Sequence, residues 1–278
     1  IAKLSTQLSM GREQTLANAL HLLSPLFVPE AVSSSGIENI VTTNESIYIA
    51  KIMEERELSP TEKEALNYLG AINHGIQRLL SREILVTNDL IAMQKILEPM
   101  NSGLRKMPGT HLSNPLTKKI VYTPPEGEKL IRDLLENFDQ YFNEDSPTHE
   151  VLARMAILHY QFEAIHPFHD GNGRTGRMLM PLYLMKQGRL PLPILFISKY
   201  ILEHREEYYK KLRAVTYQNK WKEWILYILT ATKVQAEYTC EILKRIDRVA
   251  NTVRTTVKEK LPHAYSTELI EFLFSHVK

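Results

Sequence analysis

The sequence predicts an all-α protein carrying one small β-hairpin. Apolar residues recur at helical spacing along most of the chain, as in Val151, Met155, Leu158, Phe162 and Ile165, which mark one apolar helix face. Strand-type signals are confined to the stretch between Thr110 and Thr123. A hydrophobic content of 44% over 278 residues is enough for a large core.

Taken in order, Leu58 to Leu80 reads as a helix with Ser59-Pro60 as its start, and Asn88 to Leu97 as a second. The Pro- and Gly-bearing stretch from Gly103 to Gly127 breaks the pattern. Within it, Thr110 to Ser113 and Lys119 to Thr123 flank the Asn114-Pro115 turn signal and predict the hairpin. Lys129 to Phe142 returns to helical spacing, followed by the helix ending near Ile165. A further helix runs from the glycines after Asp170 to about Gln187, with Pro181 as a kink and Gly188 as its stop. Trp221, Trp224, Ile225 and Ile228 are expected to close the core. Between Lys244 and Lys260 six basic and two acidic side chains give a helix a local positive excess, and Ser266 to Val277 reads as a last helix.

The formal net charge of +2 gives no overall bias toward nucleic acid or membranes, and no apolar run reaches spanning length. A single cysteine, Cys240, excludes an internal disulfide and suits a reducing compartment. With no signal-peptide pattern, a cytoplasmic location is expected.

The chemistry is concentrated in twelve residues, HPFHDGNGRTGR, from His166 to Arg177. Pro167 ends the preceding helix, so the His166 imidazole projects from a rigid corner and makes a good general base. Asp170 is the expected Mg²⁺ ligand, because a carboxylate beside bound phosphate is useful only through a cation. Gly171, Asn172 and Gly173 form an anion-cradling turn at a helix N-terminus. Arg174 and Arg177 lie on neighbouring positions of the following helix and both face the bound charge.

Other readings of the same letters fit less well. Gly171 to Gly176, including Thr175, is formally GxGxxG, but a helix precedes it where a dinucleotide site needs a strand. No Lys-Ser/Thr follows a glycine at P-loop spacing. A metal phosphohydrolase built on His159, His166, His169 and Asp170 would need further ligands, and for His159 and His169 a structural role is the simpler one.

The run resembles the signature of the Fic family, HPFx(D/E)GNGRxxR, at every defined position. The resemblance extends over about residues 100 to 235, taking in Thr123 to Pro125 and the Tyr208-Tyr209 region. It implies the mainly helical Fic fold with the hairpin as a flap beside the active site, and AMP transfer from ATP to a Ser, Thr or Tyr hydroxyl of a target protein. His166 would take the hydroxyl proton, Asp170 would hold Mg²⁺, and Phe168 would anchor the loop. Arg174 and the turn amides would meet the β-phosphate and Arg177 the γ-phosphate. Gly171 to Arg177 together, Thr175 and Gly176 included, would form the nucleotide-binding segment, with Tyr208 and Tyr209 bordering the adenine or packing. A branch that transfers phosphate carries lysine where this chain has Gly173, so Gly173 argues for AMP.

Ser34 to Asn39 also fits the family's inhibitory motif, (S/T)xxxE(G/N), placed N-terminal to the core as in its second class. The resemblance thus implies an inhibitory helix over about residues 34 to 45, in which Ser34, Glu38 and Asn39 restrain the site and Glu38 occupies Arg177. Ser35-x-x-Glu38 is equally a capping box opening a helix. Some relatives also use this glutamate to remove AMP. Lys119, Ile120 and Val121 would offer a strand edge to an extended target segment, or the hairpin merely covers the core. The resemblance divides the chain into 1–100, 101–235 and 236–278, the last resembling the start of a winged-helix domain. Self-modification and a homodimer are compatible with it. A nucleotide-sensing regulator that binds nucleic acid through the C-terminal basic helix is the alternative from another class.

Overall fold

The computed structural model describes residues 23–53, 56–113, 119–147, 150–263, 265, 266 and 269. Ten α-helices and one two-stranded sheet lie within them. The helices are α1 Ser24–Ile37, α2 Asn44–Ile52, α3 Pro60–Arg82, α4 Thr87–Leu97, α5 Glu128–Asn143, α6 Val151–Ile165, α7 Asn172–Lys186, α8 Ser198–Glu203, α9 Arg205–Gln218 and α10 Trp221–Lys260. The strands β1 Leu112–Ser113 and β2 Ile120–Tyr122 pair antiparallel, Leu112 opposite Tyr122. Their connecting turn, including Asn114-Pro115, lies outside the described residues, as does most of the helix expected over 266–277.

Local signals set the helix ends. Ser59 and Glu62 form a reciprocal capping box at the start of α3, with Pro60 in its first turn where a missing N–H costs nothing. Gly171 opens α7 at φ 80°, a left-handed conformation that favours glycine. Gly188, at φ 61°, follows its end. Pro181 lies inside α7, which continues through it to Lys186.

α7 is the centre of the molecule. It packs against α1, α3, α4 and α6, and every residue from Arg174 to Leu184 is buried. A helix surrounded in this way has no solvent face, which is why its sequence shows little amphipathic contrast. The apolar face expected on α6 is buried throughout: Val151, Met155, Leu158, Phe162 and Ile165 are each at most 2–3% exposed. Trp224 and Ile228 are fully buried, with Trp221 and Ile225 packed against the same cluster. Phe168 is fully buried as well and anchors the loop between α6 and α7. One buried cluster extends from Leu23 to Cys240, and α10 passes without a break through the 235/236 boundary. Cys240 is buried and unpaired. The basic residues from Lys244 to Lys260 lie on the more exposed far half of α10.

Where α1, α3 and α8 meet, the Tyr68 and Ser198 hydroxyls donate to the buried Glu30 carboxylate at 2.8 and 2.5 Å. Burial pushes that carboxyl up to about 7 against the pull of both donors.

Candidate active site

The loop between α6 and α7 is held from three sides. Asn172, buried at the start of α7, reaches back over the loop: its Oδ1 accepts from the Phe168 N–H at 2.9 Å and its Nδ2 donates to the Phe168 carbonyl at 2.8 Å. Leu104 pairs with Phe168 as an isolated antiparallel bridge. Gln94 of α4 donates to the Asp170 and Asn101 carbonyls, both at 3.1 Å, and accepts from the Gly103 N–H at 2.9 Å. The Asn172 side chain is therefore spent on loop closure, which leaves the turn amides as the part of this residue that the expected anion cradle would use. The full-length clamp arises because a buried loop backbone must find partners away from water.

His166 caps α6 in the left-handed region at φ 48° and ψ 58°, a conformation that costs a β-carbon-bearing residue energy and persists only where neighbours impose it. Its half-buried imidazole is pushed down to about 4, first by burial and then by the Arg105 charge, against the Glu163 carbonyl, Glu38 and Asp170. The ring is neutral at neutral pH and able to accept a proton.

Arg177 is 2% exposed and enclosed by α1. Its Nε donates to Ser34 Oγ and its Nη2 to the Ser34 carbonyl and to Glu38 Oε1, each at 2.9 Å. The expected Glu38–Arg177 pair thus forms. The element presenting it differs from the expected one. Residues 34–45 are not a helix: α1 ends at Ile37, Glu38 is its C-terminal cap, and Asn39 turns the chain at φ 66°. Ser35 and Glu38 form no capping box, because they stand at the end of a helix and not at its start. The Glu38 and Ile40 N–H groups both donate to the Ser35 carbonyl, closing the last turn. Asn39 Oδ1 accepts from Arg205 at 2.7 Å, tying the turn to α9.

Gly173 makes the pair geometrically allowed. A β-carbon there would lie 2.3 Å from Glu38 Oε1 and 2.8 Å from an Arg177 nitrogen. Gly176 and Thr175 also have packing roles in α7. A β-carbon on Gly176 would lie 2.4 Å from Glu163 Oε1, so its absence seats α7 against α6, and Thr175 is fully buried. On a helix packed on all sides, only some positions of a GxGxxG run can face a ligand.

Arg174, also 2% exposed, is ringed by carboxylates: Glu64 at 2.8 Å, Glu98 at 2.5 Å and Asp170 at 3.4 Å. Asp170 itself is well exposed at 61% and accepts from the Gly171 N–H at 2.6 Å. One exposed carboxylate with open lone pairs suits Mg²⁺, which keeps several waters and takes further oxygens from phosphate. Among the described residues no three metal-ligating side chains converge as a phosphohydrolase centre requires. His159 is fully enclosed instead, its Nε2 2.9 Å from the Tyr208 hydroxyl, and burial lowers it to about 3.

Tyr208 is 1% exposed and meets His159, Trp224 and Tyr227 in tilted ring contacts, so of its two expected roles the structure shows packing. Tyr209 is half open, lies 5.1 Å from the Tyr208 ring, and remains available at the site. In the flap, Ile120 is 61% exposed and Lys119 is exposed, while the Val121 carbonyl accepts from Tyr217 at 3.0 Å.

Several further residues of the site were not singled out in the sequence. Glu163 is buried against Gly176, and burial lifts its carboxyl to about 7 although Arg177 opposes the shift. Arg105, Gln94, Glu64 and Glu98 reach the loop from 60 to more than 100 residues away. Only Glu163, one helical turn before His166–Pro167, was within reach of a spacing argument.

Comparison with known proteins agrees with this geometry. A profile of the Fic/DOC family matches residues 80–184 and a profile of the Fic/DOC family N-terminal region matches residues 8–77. Protein adenylyltransferase fic-1 of Caenorhabditis elegans is 33% identical over 139 residues, which is 48% of this chain and 25% of that protein. A probable protein adenylyltransferase of Aquifex aeolicus is 24% identical over 196 residues, 69% of this chain and 60% of that protein. The chain thus spans between a quarter and three fifths of the length of these relatives. The crystal structure of a Fic-domain-containing signalling protein from Bacteroides thetaiotaomicron superposes with a TM-score of 0.66 at 13% identity, covering 87% of this chain and 95% of that one. With both profiles matching in their order along the chain, on a fold shared with solved relatives, this chain belongs to the Fic/DOC family.

Proposed function

We propose that this chain is a protein adenylyltransferase held in a restrained state by Glu38. The observation that carries the reading is the meeting of a neutral imidazole at the end of α6 with the N-terminus of α7 and two buried arginines. A target hydroxyl oxygen attacks the α-phosphorus of ATP, the bond from that phosphorus to the β-bridging oxygen breaks, and pyrophosphate leaves in line. His166 takes the hydroxyl proton. The positive end of α7 and the guanidinium groups of Arg174 and Arg177 stabilise the charge on the departing phosphates. Asp170 would hold Mg²⁺, which would neutralise phosphate charge when bound. An extended target segment pairs with the edge of β2 at Lys119 to Val121.

In the restrained state Arg177 has no free donor direction toward Glu38's position, and the γ-phosphate would have to share that space with a carboxylate. Arg174 is likewise partnered by Glu64 and Glu98. ATP binding therefore exchanges carboxylate contacts for phosphate contacts, and moving Glu38 aside is the step that permits in-line binding.

The test is mass spectrometry of the protein incubated with ATP, Mg²⁺ and a cell extract. AMP on a hydroxyl side chain of a recipient protein, or of the chain itself, is the expected outcome; phosphate as the added group, or no adduct from the Glu38→Gly variant, overturns the reading.

The depressed His166 also sets the pH dependence. An ordinary histidine is mostly protonated at pH 5, whereas one titrating near 4 is still mostly neutral there. The acid limb of kcat/KM, which reports the free enzyme, is expected well below 6.5. The limb of kcat lies higher, because bound phosphate favours the imidazolium. A kcat/KM limb at 6.5 or above would show that His166 is not the base as positioned here.

A further inference from the structure

The last three carbonyls at the end of α6 face a fixed set of side-chain donors. The Tyr122 hydroxyl on β2 donates to the Ala164 carbonyl at 2.7 Å. Arg105, fully buried, donates from Nη2 to the Ile165 carbonyl at 3.1 Å and from Nε to the His166 carbonyl at 2.6 Å. Its Nη2 also donates to the Pro125 carbonyl just beyond β2, and its own N–H donates to the Pro167 carbonyl at 2.9 Å. A helix end leaves such carbonyls without intrahelical partners. Water or a terminal glycine is the common solution. Here a buried guanidinium fork spans them, and no hydrogen bond or ion pair joins it to a carboxylate among the described residues.

Resting on the function proposed above, we propose that Arg105 and Tyr122 are positioning residues that hold His166 in its left-handed corner and lock the flap strand to it. The consequence is mechanical. β2 and the base share one clamp, so a target segment paired with β2 is presented at a set offset from the imidazole. Tyr217, donating to the Val121 carbonyl, fixes the same strand from α9. A purely capping role would demand donors to the α6 carbonyls alone. It gives no reason for the same guanidinium to hold the Pro125 carbonyl after β2, nor for the Ala164 donor to come from β2 itself.

Three variants separate position from charge: Arg105→Met, Arg105→Lys and Tyr122→Phe, each studied with and without Glu38→Gly. The groups acting on His166 are Arg105 before the hairpin, the Glu163 carbonyl on α6, Glu38 after α1 and Asp170 in the loop. NMR titration of the His166 ring is read first. Arg105→Met is expected to raise its midpoint, since a repelling positive charge is gone, while Arg105→Lys keeps the charge and leaves the midpoint low. AMP transfer is read second. Both Arg105 variants are expected to lower kcat by about 10- to 100-fold with KM for ATP little changed, as a misplaced catalytic group does. Tyr122→Phe leaves the titration unmoved and lowers kcat/KM for the protein target by roughly 10-fold, a smaller misplacement of the same kind.

Transfer at the parental rate by Arg105→Lys and Tyr122→Phe overturns the proposal, and so does an Arg105→Met titration identical to the parent's. If Arg105→Met does not fold, the other two variants decide it. If Glu38→Gly transfers no AMP to any protein, the adenylyltransferase reading fails, while the NMR shifts of the His166 ring in Arg105→Lys and Tyr122→Phe, displaced from the parent's or identical to them, still report whether the clamp positions the ring.

Discussion

Replacing Glu38 with glycine is expected to raise AMP incorporation by about 10-fold or more, up to roughly 150-fold. The bound arises from the pair itself: a hydrogen bond to a charged group is worth about 1.5–3 kcal/mol, and each 1.36 kcal/mol is tenfold in an equilibrium. Arg177 is 2% exposed but the Glu38 side chain is 34% exposed, so water screens part of the attraction and favours the lower half of that range. The two Ser34 contacts to Arg177 survive the substitution, leaving the guanidinium oriented but with its carboxylate partner gone. Incorporation from ATP labelled at the α-phosphate measures the effect. Equal rates for parent and variant would remove the restraining role from Glu38.

Replacing His166 with alanine, in the activated Glu38→Gly chain, is expected to lower transfer by about 10²- to 10⁴-fold, the usual range for a general base. ATP affinity is expected to hold, because the phosphate-facing groups belong to α7 and not to the imidazole. Those two readouts together distinguish loss of proton acceptance from collapse of the loop. The Arg105 and Asn172 contacts are to the backbone of the loop, so they remain when the ring is removed. A fall in affinity equal to the fall in rate would mean that the ring supports binding instead.

Much of the candidate site's local geometry was legible in consecutive residues. His166, Asp170, Arg174 and Arg177 stand where the run HPFHDGNGRTGR implied, because a corner, a turn and a helix start are decided by neighbours within a few positions. The expected helices over 58–80, 88–97 and 129–142 appear as α3, α4 and α5 with ends shifted by at most two residues. Their signals were likewise local: Ser59-Pro60 at one start, apolar spacing along each face. The hairpin strands appeared within the expected stretch.

Packing decided what the letters alone left open. Ser35-x-x-Glu38 has the letters of a helix start yet closes a helix, because the buried Leu26, Phe27, Val28 and Ala31 drive α1 ahead of it. Tyr208 carries a hydroxyl that would suit a site mouth, but His159 waits for it inside the core. Thr175 and Gly176 belong to a run that suits phosphate, and in the packed α7 Thr175 is fully buried and Gly176 lies against Glu163.

The sequence by itself determined the family, the order of helices and the candidate reacting groups, since each depends on interactions a few residues long. Only the tertiary structure decided which of these groups are engaged. Arg177 is met by Ser34 and Glu38 from more than 130 residues away, Arg174 by Glu64 from 110, and His166 by an arginine 61 residues earlier. Hydrogen bonds and ion pairs act over a few ångströms of space, and no spacing along the chain encodes which distant side chain the packed helices will deliver to that distance.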